Sequence, residues 1–164
     1  MRRLGLSILP IAFVVTLFAQ EKPDFSGRWV LSPSAVVDRD VPQSLTVKQV
    51  VARTNVFEDI TIVREFADHA RTDTYQIGIV GGTIGGVSRL LGRPVTETRF
   101  SVQWDANRLV FKTSSDSEVP GQTQQHSEHT EIWQLAGDGT LIMAVTDRSS
   151  SVEPASKVLT YRKD

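Results

Sequence analysis

Thr96-Glu97-Thr98-Arg99-Phe100-Ser101-Val102-Gln103-Trp104 alternates strictly. Thr98, Phe100, Val102 and Trp104 fall on one side of an extended chain, and Glu97, Arg99, Ser101 and Gln103 on the other. Asp105-Ala106-Asn107 reads as a turn, and Arg108 to Ser114 returns with Leu109 and Phe111 on the inner side. Val119-Pro120-Gly121-Gln122 is the next turn, followed by a long strand from Gln124 to Leu135. Asp138-Gly139 is a hairpin signal, after which Leu141, Met143 and Val145 line one face; Val158 to Arg162 closes the chain. Contiguous alternation joined by tight turns makes neighbour-to-neighbour antiparallel pairing the simplest topology.

The earlier half reads the same way, with Arg28 to Leu31, Leu45 to Val50, Phe57 to Phe66 and Thr72 to Val80 as strands. The aligned residues are Leu45 with Val47, Ile60 with Ile62 and Phe66, and Tyr75 with Ile77 and Ile79. No helical period is sustained. The expectation is an all-β chain forming a single antiparallel up-and-down β-barrel of about eight to nine strands, with a sandwich as second choice.

Met1-Arg2-Arg3 followed by an apolar run to Ala19 and a polar turn at Gln20-Glu21-Lys22-Pro23 has the layout of a secretory signal peptide. Residues 1–19 are therefore expected to be removed, leaving 20–164 as one domain that is periplasmic or extracellular, with a short loose leader at Gln20 to Asp24. The apolar run is short for a membrane span and contains Pro10, so no stable span is expected in the mature form. Without Arg2 and Arg3 the net charge moves from −1 to −3, which does not attract nucleic acid. With no cysteine, disulfides, thiol catalysis and thiolate metal sites are excluded, and stability must come from the core.

Asp24-Phe25-Ser26-Gly27-Arg28-Trp29-Val30-Leu31 opens the domain. Its Gly27-x-Trp29 resembles the G-x-W signature of lipocalins and other calycin barrels. That resemblance implies that Trp29 plugs one end of a barrel and that an arginine of the last strand, here Arg162, packs across it. Gly27, Trp29 and Arg162 are thus given structural roles. Thr146-Asp147-Arg148 is similar to the family's T-D-Y turn but departs at the aromatic. Thr130-Glu131-Ile132-Trp133-Gln134-Leu135 and Asp138-Gly139-Thr140-Leu141 extend the resemblance to a group of small secreted bacterial lipocalin-like β-barrel proteins of unknown function. It implies a cup for a small apolar ligand and no enzyme activity, and a shared fold alone does not transfer function.

Six of the 11 glycines fall between Gly78 and Gly92. Val87 follows Gly86, so the phosphate-loop lysine is missing, and no βαβ setting supports a dinucleotide fingerprint. The segment reads as a connection between strands. Its Ile84, Leu90 and Leu91 suit a lid over the barrel mouth or a partner-contact loop. His126-x-Glu128-His129 puts two ligands on one strand face and His129 on the other, too few for zinc. No serine sits in G-x-S-x-G, so no catalytic residues, metal or cofactor are assigned.

Arg64 keeps the phase of Ile60 and Ile62, and Glu131 that of Trp133 and Leu135. Either both are buried, paired with each other or gripping a ligand's polar head, or a bulge returns them to solvent. The bulge is the expected outcome, since one extra residue is common in barrel strands. The functional expectation is an exported module holding a small hydrophobic ligand among Tyr75, Phe100, Trp104, Phe111, Trp133 and Arg64. The alternative is an envelope protein–protein module, an inhibitor or assembly factor, with a filled core.

Overall fold

The computed structural model describes residues 22–33, 38–51, 57–78, 84–90, 95–118, 124–150 and 152–164, with 84–90 and 95 described by backbone alone. The leader at 1–19, the turn at 119–122 and Leu91 lie outside the described residues, as do the side chains of Ile84 and Leu90.

Among the described residues ten strands follow one another: β1 (Gly27–Leu31), β2 (Ser44–Val51), β3 (Phe57–Glu65), β4 (Ala70–Gly78), β5 (Ile84–Leu90), β6 (Val95–Asp105), β7 (Arg108–Glu118), β8 (Gln125–Leu135), β9 (Leu141–Ser149) and β10 (Val152–Lys163). They form one antiparallel sheet in the order β4-β3-β2-β1-β10-β9-β8-β7-β6-β5. Every strand lies beside its sequence neighbour except at two places. β1 pairs with β10, Val30 opposite Arg162. β4 and β5 end the sheet, and β4 comes back against β5 and β6. The chain is thus an up-and-down barrel, closed but for one seam without a described hydrogen-bonded ladder. Among the described residues there is no helix, and none long and apolar enough to cross a membrane.

β5 corrects the reading of the Gly-rich segment. Ile84 to Leu90 is not a loop but a strand, paired with β6 from Ile84 opposite Val102 to Leu90 opposite Thr96. Ile84 and Leu90 therefore stand in the barrel wall. Glycine weakens a strand but does not forbid it when a long neighbour supplies the ladder.

The turns follow the sequence chemistry. Ala106, at φ 54, takes the tight two-residue corner between β6 and β7. Gly139, at φ 81, takes the β8–β9 corner, where Asp138 Oδ1 accepts the Thr140 N–H at 3.0 Å.

Interior diameter grows with strand number, and about eight strands already leave just enough room for side chains. This barrel fills its wider centre with large residues. Trp29, Trp133, Tyr161, Leu45, Ile60, Ile62 and Leu109 are fully buried. The residues just before β1 also contribute. Phe25 is wholly buried, stacks on Trp104 at 6.0 Å and meets the edge of Trp133 at 6.0 Å. The Phe25 carbonyl accepts the Trp29 indole N–H at 2.8 Å, and the Lys22 ammonium lies 5.4 Å from the Trp104 ring. Residues 22–25, expected to be loose in part, seal this end of the barrel.

Candidate functional site

On β3, β4 and β8 the inward phase passes from apolar residues to polar ones toward the open end, although Glu58 on β3 is buried at the sealed end, bonded to Gln49 and Trp104. On β3 it runs Ile60, Ile62, Arg64, on β8 Trp133, Glu131, His129, and on β4 Ile77, Tyr75, Asp73. No bulge interrupts β3 or β8: Arg64 faces Arg71 and Leu45 in unbroken register, and Glu131 faces Phe111 and Val145. The expected return to solvent does not occur. Arg64 is 2% exposed and Glu131 8%.

These two groups hold each other across the interior. Arg64 Nη2 donates to Glu131 Oε2 at 2.9 Å, and Arg64 Nη1 to Asp73 Oδ2 at 2.5 Å. Glu131 Oε2 also accepts the Trp133 indole N–H at 3.1 Å, and its Oε1 faces His129 Nε2 at 3.1 Å. His129 Nδ1 faces Asp147 Oδ1 at 2.6 Å. Two carboxylates satisfy both ring nitrogens only when both carry protons. The Glu131 hydrogen bond, opposed by burial, accordingly raises the imidazole above its ordinary range. Burial alone would lift the Glu131 carboxyl, but His129 and the Arg64 charge outweigh it and hold it at about 2. The Tyr75 hydroxyl lies against the same guanidinium and is raised by burial.

Above this network the barrel is open. A cavity of about 450 Å³ is walled by Tyr75, Phe111, Phe66, Pro42, Thr113 and Arg71, with Arg64, Glu131 and His129 in its floor. Tyr75 meets Phe111 edge-on at 5.1 Å, and Phe66 stacks on His69 at 4.5 Å. A second hollow of about 300 Å³ shares Asp40, Pro42, His129 and Glu131 and reaches Met143, Val145, Lys157 and Leu159.

Of the residues selected from sequence, Arg64, Tyr75 and Phe111 meet at this cavity, and Trp133 lies beneath it with no exposed surface. Trp104 does not join them. It belongs to the sealed end, where its indole N–H donates to Glu58 Oε2 at 3.3 Å. Phe100 is 42% exposed and stands apart from the core. Trp29 is buried at the sealed end, but the cation over its ring is Lys163, 5.5 Å away, and not Arg162. Trp29 faces Lys163 across the β1–β10 ladder, whereas Arg162 falls on the opposite face and is exposed. Gly27, at φ 130, occupies a backbone conformation that side chains disfavour, with the Lys163 stem directly over it.

Sequence reasoning missed His129, Asp73, Asp40 and the Phe66–His69 stack. The phase that put Glu131 inside also puts His129 inside, two residues earlier, so that signal was present. His126 and Glu128 point outward, as the alternation requires, and His126 pairs with Asp116 at 2.7 Å.

A larger groove of about 570 Å³ crosses β6 to β9 and includes Arg99, Lys112 and Arg148. The mouth cavity combines concavity, aromatic walls and fixed polar groups, which is the composition of a small-molecule site. No protein family matches the chain, and no curated protein or solved structure matches it significantly, so the lipocalin resemblance rests on its short motifs alone.

Proposed function

We propose that this chain is a small-molecule-binding barrel whose ligand occupies the open end, above the Arg64–Glu131 pair. The observation that carries the reading is the 450 Å³ cavity floored by a hydrogen-bonded charge network instead of core side chains. Its size lies within the roughly 300–1,000 Å³ of ligand pockets. The centre below is filled by Trp133, Ile62 and Leu45, so a long hydrocarbon chain finds no room there. The apolar part of the ligand is instead compact, resting on Tyr75, Phe111 and Phe66. Mass spectrometry of the native protein, purified from its own cells, tests this: a bound small molecule should be present and should be lost in Thr113→Trp, which fills the cavity. Wild-type protein that releases nothing on denaturation and binds nothing in a ligand screen would refute it.

The same proposal includes export, supported by the basic, apolar and polar succession of residues 1–23. N-terminal sequencing of the mature protein should begin near Gln20, and a retained Met1 start would overturn it.

A second reading, an envelope protein–protein module, is favoured by one observation. Val152 and Val158 on β10 are 69% and 67% exposed, and Val30 on the adjacent β1 is 40% exposed. Cross-linking should then capture a partner that Val158→Lys abolishes; identical cross-linking patterns for the two proteins would dismiss it.

A further inference from the structure

The charges around the open end form one alternating chain. Arg71 donates to Asp73 at 3.0 Å, Asp73 and Glu131 hold Arg64 between them, Glu131 faces His129 at 3.1 Å, and His129 faces Asp147 at 2.6 Å. Cation and carboxylate alternate along it, so with His129 protonated its positive groups are matched by its negative ones. The other basic groups lining the two hollows are matched as well, His69 by Asp68 at 2.6 Å and Lys157 by Asp38 at 3.7 Å. Among the described residues, no basic group lining either hollow lacks a carboxylate of this chain beside it.

Asp40 stands outside this chain. Its backbone N–H is held by Asp38 Oδ1 at 3.2 Å, but its exposed carboxylate meets no cation among the described residues, and it lines both hollows. The open end therefore offers a ligand one uncompensated charge, and that charge is negative. An anionic ligand would lose its hydration, meet cations already neutralised and face Asp40 as a like charge. A neutral ligand would gain nothing from Asp40. A metal ion needs more than one carboxylate, since calcium takes about 6–8 oxygen ligands, and no metal-holding group of His, Asp and Glu occurs among the described residues. Tyr75, Phe111 and Phe66 wall the same cavity. Aromatic faces attract an organic cation, and rings also cover its apolar body.

We infer that the mouth cavity selects an organic cation, with an ammonium or comparable group directed to Asp40 and a ring or compact apolar body against Tyr75, Phe111 and Phe66. This specifies the ligand class of the site proposed above and rests on that proposal. It follows that phosphates, free fatty acids and other carboxylates are poor ligands despite the arginine in the floor, because the charge of Arg64 is consumed inside the chain of ion pairs.

Benzylamine, benzamide and benzoate test the inference, because they share one ring and differ in charge. Titrations at neutral pH, followed by NMR chemical-shift changes, should move the amides of Tyr75 and Thr113. Benzylamine should bind at least about threefold more tightly than either other probe, the combined effect of an exposed charge contact and a cation–ring contact. Thr113→Trp should abolish binding. Asp40→Asn keeps the shape of an exposed side chain and removes its charge, and should bring benzylamine down to the affinity of benzamide. Benzamide or benzoate binding as tightly as benzylamine in wild type, and lost in Thr113→Trp, would overturn the cation inference while leaving the cavity as a site. A benzylamine advantage that survives in Asp40→Asn would also overturn it, since Asp40 is the charge on which it rests. Shifts that persist in Thr113→Trp, or no binding by any probe at millimolar concentration, would sink site and inference together.

Discussion

Replacing Glu131 by Gln keeps the shape of the side chain and removes its charge, leaving Arg64 buried with Asp73 alone. The cost follows from the depressed carboxyl. Moving from 4.5 to about 2 is worth roughly 3 kcal/mol of folding stability, at about 1.4 kcal/mol per unit. An independent comparison agrees: breaking a buried ion pair costs about 3–5 kcal/mol, and Asp73 still offsets part of the Arg64 charge here. The sign is that of a lowered acid. The contribution is complete above 4.5 and disappears as pH falls through about 2. Urea unfolding of wild type and Glu131→Gln, followed by tryptophan fluorescence, should therefore give a gap of roughly 3 kcal/mol at neutral pH that shrinks to about 1 kcal/mol near pH 3. A gap independent of pH, or one below about 1 kcal/mol at pH 7, would show that the network does not hold Glu131 ionised.

Three further outcomes are expected. Phe25→Ala should lower unfolding free energy by about 3–4 kcal/mol, because the ring is fully buried between Trp104 and Trp133; a loss under about 1 kcal/mol in urea titration would mean that Phe25 does not seal the barrel. Gly27→Ala should cost about 1–3 kcal/mol through its φ of 130, since the Lys163 stem above it can move aside, and unchanged thermal melting would contradict the strain. His129, with its raised imidazole, stabilises the fold fully below 6.5 and loses that contribution as pH rises through the raised value. Wild-type melting temperature should therefore fall between pH 6 and pH 9 by more than that of His129→Gln, and parallel profiles would refute the Glu131–His129–Asp147 contact.

Strand identity was legible wherever one face is buried and the other wet. β6 through β9 were read correctly for that reason, because a single slip would invert every side chain. β5 escaped because Gly85 and Gly86 remove the alternation that marks a strand, while its pairing with β6 depends on backbone alone. Arg64 and Glu131 were visible as in-phase polar residues, yet the expected bulge was the wrong resolution. A lone buried charge is prohibitive, and what makes this one tolerable is a partner 67 positions away, beyond the reach of any single-strand pattern. Phe25 lies before the first strand and has no periodicity to betray it. Arg162 failed by parity: Lys163, one residue later, falls on the face of Trp29.

The level of the Arg64–Glu131 pair divides one set of strands into two environments. Below it the inward positions of β7 and β8 are Leu109 and Trp133, Phe111 stands level with Glu131, and above it they are Thr113, Ser115, Ser117, His129 and Ser127. Hydroxyls on neighbouring strands bond to one another there, Thr98 to Ser115 at 3.0 Å. A lining of this kind gains little by collapsing on itself, since each hydroxyl can exchange its partner for water or ligand at small net cost. The apolar half and the ion pair therefore supply the stability, and the pair also forms a rigid polar floor on which the wet half can stay open. Substitutions below Arg64 should register in unfolding free energy, whereas those at Thr113, Tyr75 or Asp40 should register first in ligand affinity. That separation is what the proposed binding role requires, and a core filled from end to end would not provide it.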